Sequence, residues 1–496
     1  MALQPTGTSY TDYPDHPNQQ HQVEEHNLHV EDLDDPVTVT DRYFNNNGSS
    51  ISNNARSVSD KNAERPMHKK TWFWLLVAGV VLVLGVVGTS VGLARSGNED
   101  NTGVGATLPR PELQSDAVNA NRNELGELLL SMYTERDMDW APVGALETFQ
   151  GRALTFVAGS STYTALSRSQ NIERYALVVF YLHTFRQPHS QWPVASEWTS
   201  SQNWLTKESV CVWEGIVCND DDMVQQILLP NHELSGTLPA ELSLLLNLET
   251  VDFTTNYIFM EGSSHFLWTI MPNLLELTMD DNFFIAENGL PAQFVGLKSI
   301  QKISLSYNLL QGTMDGTIFE ELQTLQHLEI EYNYIEGELP TQLLTLPSLI
   351  YLYVRRNSFE IDLDTIFRAG NLPNIFALWL DSNEVGGSIP TTIGLYTDLA
   401  SLSITEADLT GPMPTEMGQL VNMRRCWLYD NDLTGPIPSE LNNWGQLQVL
   451  ELYGNSLSGD MPMAVCDAVD ASDYEFRTLS VDCEEVNCQN CCTECY

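Results

Sequence analysis

The sequence predicts an α/β solenoid: a right-handed superhelix of about ten repeats, led by a helical preface, closed by cysteine-rich caps and carried on a single transmembrane helix. Three observations predict it. A unit L-x-L-x-x-N-x-L-x-G-x-I-P recurs between Val224 and Pro462. Cysteines gather on both sides of that stretch, and none precedes them. One uncharged run of 24 residues stands ahead of everything that repeats.

The clearest copy of the unit is Leu378, Leu380, Asn383, Val385, Gly387, Ile389 and Pro390. The Asn position recurs at His232, Asn256, Asn282, Asn308, Asn333, Asn357, Asn383, Ala407, Asn431 and Asn455, at spacings of 24 to 26 residues. This is the pattern of leucine-rich repeats. L-x-L buries alternate side chains of a short strand. The Asn amide then serves turn backbone that no ladder satisfies. One repeat cannot bury its apolar side alone, so neighbours stack. At about 4.8 Å per strand, ten strands span roughly 45 Å. The G-x-I/L-P corner resembles the plant-type subclass. It is degraded around Asn256, Asn282, Asn308 and Asn357, where the convex side is expected to be less regular.

The remaining chain divides by composition. Residues 1–70 lack an apolar period and read as a disordered acidic cytoplasmic tail. Residues 71–94 read as the transmembrane helix, about 36 Å long against a hydrocarbon core of about 30 Å. Lys61, Arg65, Lys69 and Lys70 precede it and only Arg95 follows closely, so the repeats should lie outside the cell or in the secretory lumen. The plasma membrane is the expected site. Gly88 and Gly92 offer a helix-dimerisation face. Residues 95–117 read as a linker, 118–223 as helical preface and N-terminal cap, 224–462 as repeats and 463–496 as C-terminal cap. In the preface, helical spacing appears at Leu125, Leu128, Leu129 and Met132, and again from Ile172 to Phe185.

The cap Cys211-x-Trp213-x-Gly215-x-x-Cys218, with Trp204 before it, resembles the N-terminal cap of plant-type leucine-rich-repeat proteins. That resemblance implies a Cys211–Cys218 disulfide with Trp213 packed inside. At the other end stand Cys466, Cys483, Cys488, Cys491, Cys492 and Cys495. Six cysteines allow fifteen pairings, and C-x-x-C-C-x-x-C is open to a zinc reading as well as to disulfides. The luminal side favours disulfides, and no metal or other cofactor is expected. Cys426 fills a core Leu position and is expected to be a buried free thiol. The whole combination resembles the membrane-anchored leucine-rich-repeat proteins of diatoms, receptor-like and without a kinase domain. No Gly-rich loop, V-A-I-K lysine, H-R-D or D-F-G motif is present.

A net charge of −43, from 66 acidic and 23 basic residues, argues against nucleic acid as a partner. No catalytic motif is recognisable, so an enzyme is not expected. The strand-side face instead carries large aromatics at Tyr332, Tyr334, Tyr353, Trp379, Trp427, Tyr429 and Tyr453, with the cations Arg355 and Arg356 among them. Exposed Tyr and Trp are typical interface anchors. The arginines either clamp a ligand carboxylate or pair with Glu331 and Asp381. The expected ligand is an extracellular peptide, protein or glycan, with a co-receptor supplying signalling. The alternative is a structural or adhesive component of the cell surface or wall.

Overall fold

A computed structural model of the protein describes residues 116–496, apart from 137, 139–140, 146–147, 186–197, 261–270, 272, 472–477 and 489–490. The apolar run 71–94, the tail before it and the Gly88/Gly92 face lie outside the described residues. Among the described residues no helix is long and apolar enough to cross a membrane.

Among the described residues the chain coils as a solenoid around a thirteen-stranded sheet. Its strands run parallel from Val224–Leu228 to Glu494–Cys495, and each is the L-x-L segment of one turn or its counterpart. Register is uniform: Leu328, Leu352, Leu378, Leu402 and Cys426 oppose one another in succession, all fully buried. Cys426 thus sits in the core as a thiol without a disulfide partner, and burial pushes its pKa up to about 12.

The Asn residues connect the turns. The Asn383 amide donates to Leu380 O and, one repeat back, to Val354 O, both at 3.0 Å. Its Oδ1 accepts from Phe359 N at 3.0 Å. Asn256, Asn282, Asn308, Asn333, Asn357, Asn431 and Asn455 donate in the same way. One side chain therefore satisfies three backbone groups that a strand ladder would otherwise have to reach.

Among the described residues the opposite wall carries a six-stranded and a four-stranded sheet. The break between them corrects the expectation of irregular convex corners. The turns around Asn256, Asn282, Asn308 and Asn357, where the corner motif is degraded, form strands Tyr257–Met260, Phe283–Ala286, Leu309–Thr313 and Ser358–Glu360. The interruption falls in the next turn, whose motif is intact. There Gly386 takes φ of 59°, outside the extended region, beside Gly387 at 74°, and a Glu360–Glu384 bridge continues the ladder. An open pocket of about 660 Å³ lies at this break.

Both ends of the concave sheet are covered. Helices Asp116–Glu135, Phe149–Ala158 and Arg168–Thr184 precede the repeats. The last begins with a capping box between Ser167 and Gln170. It docks through polar groups as well as apolar ones. Glu173 accepts the Val224 N–H of the first parallel strand at 2.9 Å, and Tyr133 OH bridges Tyr175 OH and the buried Glu241. Strand Ile216–Cys218 then pairs antiparallel with Val224–Leu228. Trp213 is buried, 4.9 Å from Trp204, and the Cys211–Cys218 disulfide closes the loop. At the far end Cys466–Cys491, Cys483–Cys495 and Cys488–Cys492 are bonded. The sulfurs of Cys483, Cys488 and Cys492 lie close enough to share a metal, but each is engaged in a disulfide.

Candidate functional site

Every turn of the concave sheet places three side chains in fixed columns. The middle residue of L-x-L gives Glu329, Tyr353, Trp379, Ser403, Trp427 and Glu451, opposed in register. The residue after the second apolar position gives Asp280, Glu331, Arg355, Asp381, Tyr429 and Tyr453. The next residue has positive φ and gives Asp281, Tyr307, Tyr332, Arg356, Glu406 and Asp430. Adjacent strands stand about 4.8 Å apart. That distance suits ring-on-ring contact, so aromatics in one column pack on each other rather than stand in solvent.

The centre of the face is an ionic and aromatic floor. Arg355 Nε lies 2.5 Å from Glu331 Oε1, and both side chains are about nine-tenths buried. The Arg355 guanidinium sits 5.5 Å from the Tyr332 ring centroid and 5.0 Å from that of Trp379. Tyr332 stacks on Tyr307 at 4.1 Å, and Trp379 on Tyr353 at 4.3 Å. Trp379 also meets Trp427 edge-on at 5.9 Å, across the small, buried Ser403. Its Nε1 donates to Ser401 Oγ.

Two aspartates brace neighbouring turns in the same manner. Asp280 Oδ1 accepts from Ser304 Oγ at 2.8 Å and Ser306 N at 2.6 Å. Asp381 Oδ1 accepts from Ser403 Oγ at 2.5 Å and Thr405 N at 2.8 Å. Burial raises both carboxyls, Asp280 to about 7, while these hydrogen bonds pull them back. Beside Asp280, Glu329 pairs with Lys302 at 3.4 Å. His327 stacks on Tyr351 at 4.0 Å, and burial followed by Lys302 lowers its pKa to about 4, leaving a neutral ring near pH 7.

The expected row of exposed anchors is therefore corrected. Tyr353, Trp379 and Trp427 are only 6%, 4% and 5% exposed, because each lies down on its neighbours. Arg355 is committed to Glu331. Tyr334 is 49% exposed, but it belongs to strand Tyr334–Glu338 of the other wall, past the Asn that ends the concave segment. Tyr332, Tyr429 and Tyr453 remain half-buried, and the side chain of Arg356 is 44% exposed, 3.8 Å from Glu406 and over Tyr332. His327, Tyr351 and Arg425 also line the face, at the residue before the first Leu. Alternation of L-x-L sends that residue to the same side as the middle x position. Tyr496, brought beside Tyr453 by the last strand, had no repeat signal to mark it.

No family model matches the chain. It is 26% identical over 191 residues to Pollen receptor-like kinase 2 of Arabidopsis thaliana, covering 38% of this chain and 24% of that protein. It is 30% identical over 201 residues to Receptor-like protein 41 of Arabidopsis thaliana, covering 40% of this chain and 22% of that one. The chain thus matches about a quarter of the length of these relatives. Among solved structures it resembles the Arabidopsis receptor kinase HAESA, determined in complex with the peptide hormone IDA and the co-receptor SERK1. The TM-score is 0.50 and the identity 24%, covering 64% of this chain and 53% of HAESA. The fold is a leucine-rich-repeat solenoid. Its relatives are plant leucine-rich-repeat receptor-like proteins and kinases.

Proposed function

We propose that the repeats are the recognition surface of a single-pass, membrane-anchored extracytoplasmic protein, receptor-like and without its own kinase, whose ligand is an extended peptide on the concave face. The supporting observation is the floor around Arg355. Buried ion pairs seldom add stability over apolar packing, and small polar residues would suffice on a sheet facing water. Here four consecutive turns, from Tyr307 to Trp379, instead lock large side chains in one arrangement, which lowers the ordering cost of binding. The stacking also favours peptide over glycan. A sugar ring needs an open aromatic face, and Tyr307, Tyr332, Tyr353, Trp379, Tyr429 and Tyr453 spend at least one face on each other. What stays accessible around Arg356, Glu406 and Tyr332 are polar groups suited to a peptide backbone and its side chains. HAESA, a similar fold, holds a peptide hormone and a co-receptor. A co-receptor is the partner proposed here too.

The test is binding of the purified full chain to arrays of secreted peptides and glycans, beside Arg356→Glu and Tyr332→Ala. Peptide hits weakened about tenfold or more by either change are expected, the size of a typical anchor truncation. Hits confined to glycans, or peptide hits bound equally by all three proteins, would overturn the reading.

A further inference from the structure

Ahead of the Arg355 floor, three consecutive turns of the concave face meet at one hydroxyl. Ser304 Oγ lies 2.8 Å from each carboxyl oxygen of Asp280, one turn back, and 2.9 Å from Glu329 Oε2, one turn on. A serine hydroxyl has one hydrogen to give. It satisfies one of these carboxylates, and its lone pairs then face the other. The remaining oxygens are already assigned. Asp280 Oδ1 accepts from Ser306 N at 2.6 Å, and Glu329 Oε1 pairs with Lys302 at 3.4 Å. Ser304 is fully buried, so solvent does not supply the missing hydrogen.

The geometry points to a proton switch: Asp280 is neutral and donates from Oδ2 to Ser304 Oγ, Ser304 donates to Glu329 Oε2, and Glu329 stays ionised against Lys302. Loss of that proton leaves two anions around one hydroxyl hydrogen, and Glu329 turns away from Ser304 towards Lys302 and solvent. The tie across the three turns is lost beside the floor. Glu329 stands in register with Tyr353, and Ser306 Oγ accepts the N–H of Glu331, the partner of Arg355. Recognition on this face is then strongest below neutral pH, a consequence that rests on the reading of the face as a peptide site. The surrounding groups place the transition. Burial raises the Asp280 carboxyl to about 7; the Ser304 hydrogen bond lowers it, the charge of Glu329 raises it, and Ser306 and Lys302 lower it. Its own segment adds Asp281 and the exposed Glu276. The strand before it adds Asp252, which accepts from Thr254 N. The strand of Glu329 adds His327, neutral near pH 7. Beyond lies Glu331, which burial raises to about 8 against the pull of Arg355.

The experiment uses the full chain in detergent beside Asp280→Asn, whose amide can still donate to Ser304 Oγ and accept from Ser306 N but does not titrate. Infrared difference spectra between about pH 6 and pH 8 record the protonated-carboxyl band. The unaltered protein should lose one carboxyl more than Asp280→Asn, with a midpoint near 7. Glu173 and Glu331 titrate in both proteins and cancel. Glu329→Gln removes the neighbouring charge and should move that midpoint down, and the control Glu276→Gln on the same strand should leave it in place. Equal spectra for the unaltered protein and Asp280→Asn, or a midpoint unmoved by Glu329→Gln, would overturn the inference. Recognition is read separately, with an array peptide sensitive to Arg356→Glu. Its binding should weaken by up to about tenfold per pH unit above 7 in the unaltered protein and stay level in Asp280→Asn. Level binding in both would overturn the coupling and leave the peptide reading standing. Arrays without a peptide hit would overturn the peptide reading, and the infrared midpoint would still decide the proton.

Discussion

Arg355 and Arg356 are neighbours in sequence and opposites in structure. Arg355 holds a buried carboxylate between two rings. Arg355→Ala should cost about 3–5 kcal/mol in chemical denaturation, because Glu331 is left buried without its partner. Arg356→Ala, at a side chain 44% exposed, should change stability by less than about 0.5 kcal/mol. Equal effects would show that the floor is not as described. Asn383→Ala should cost roughly 2–3 kcal/mol, since it orphans Val354 O, Leu380 O and Phe359 N together. A cost near zero would mean that water takes over those groups. The role of these asparagines was readable from the sequence, because the turn's need for donors and an acceptor is local. The burial of Trp379 and Trp427 was not. Sequence places both at outward positions, but whether an outward ring stands or lies depends on what sits one and two strands away. The small Ser403 is what lets these two rings meet.

At the scale of elements, the preface was visible as helical periodicity, while its docking was not. One polar tie runs from Glu173 to the N–H of Val224, and nothing in either segment announces that pairing. The tie has a measurable signature. Burial raises the Glu173 carboxyl to about 7 from an ordinary 4.5, against the pull of the Val224 hydrogen bond. Between those values the folded protein holds a proton that the unfolded chain has lost. The contribution of this group to stability is therefore greatest below about pH 4.5, falls as pH rises towards 7 and is level above. Glu173→Gln keeps an acceptor for Val224 and removes the titration. It should raise stability at pH 8 by up to roughly 3 kcal/mol and leave it unchanged at pH 4. Melting curves of both proteins across this range check it, and parallel pH profiles would refute it. The break in the opposite wall teaches a related lesson. It coincides with the positive φ of Gly386, not with the loss of the corner motif, since Gly337 and Gly435, the counterparts of Gly387, take φ of 80° and 81° inside strands of that wall.

For the whole molecule, a solenoid has two ends at which core and strand edge would meet water, and the two are closed by different physics. The N-terminal end is packed: Trp198, Trp204 and Trp213 cluster with Phe180 and Tyr181 of the preface helix, and one disulfide spans only seven residues. The C-terminal end depends on covalent ties. Cys483–Cys495 holds the last strand, Glu494–Cys495, against Thr478–Val481, and Cys466–Cys491 ties helix Met463–Ala471 to the same loop. Such pairings persist in oxidising compartments. Mild reduction should therefore act unevenly. The C-terminal bridges should account for about 2–4 kcal/mol of local stability each. Without them the strand Thr478–Val481 becomes an unpaired parallel edge, open to a second copy of the chain. Hydrogen exchange after reduction should show lost protection across 478–495, with 224–451 and the tryptophan-packed cap retained, and size-exclusion should show self-association. Uniform loss along the repeats would mean that the disulfides hold the whole solenoid. Retained protection at 478–495 would mean that packing alone closes this end, as it does the other.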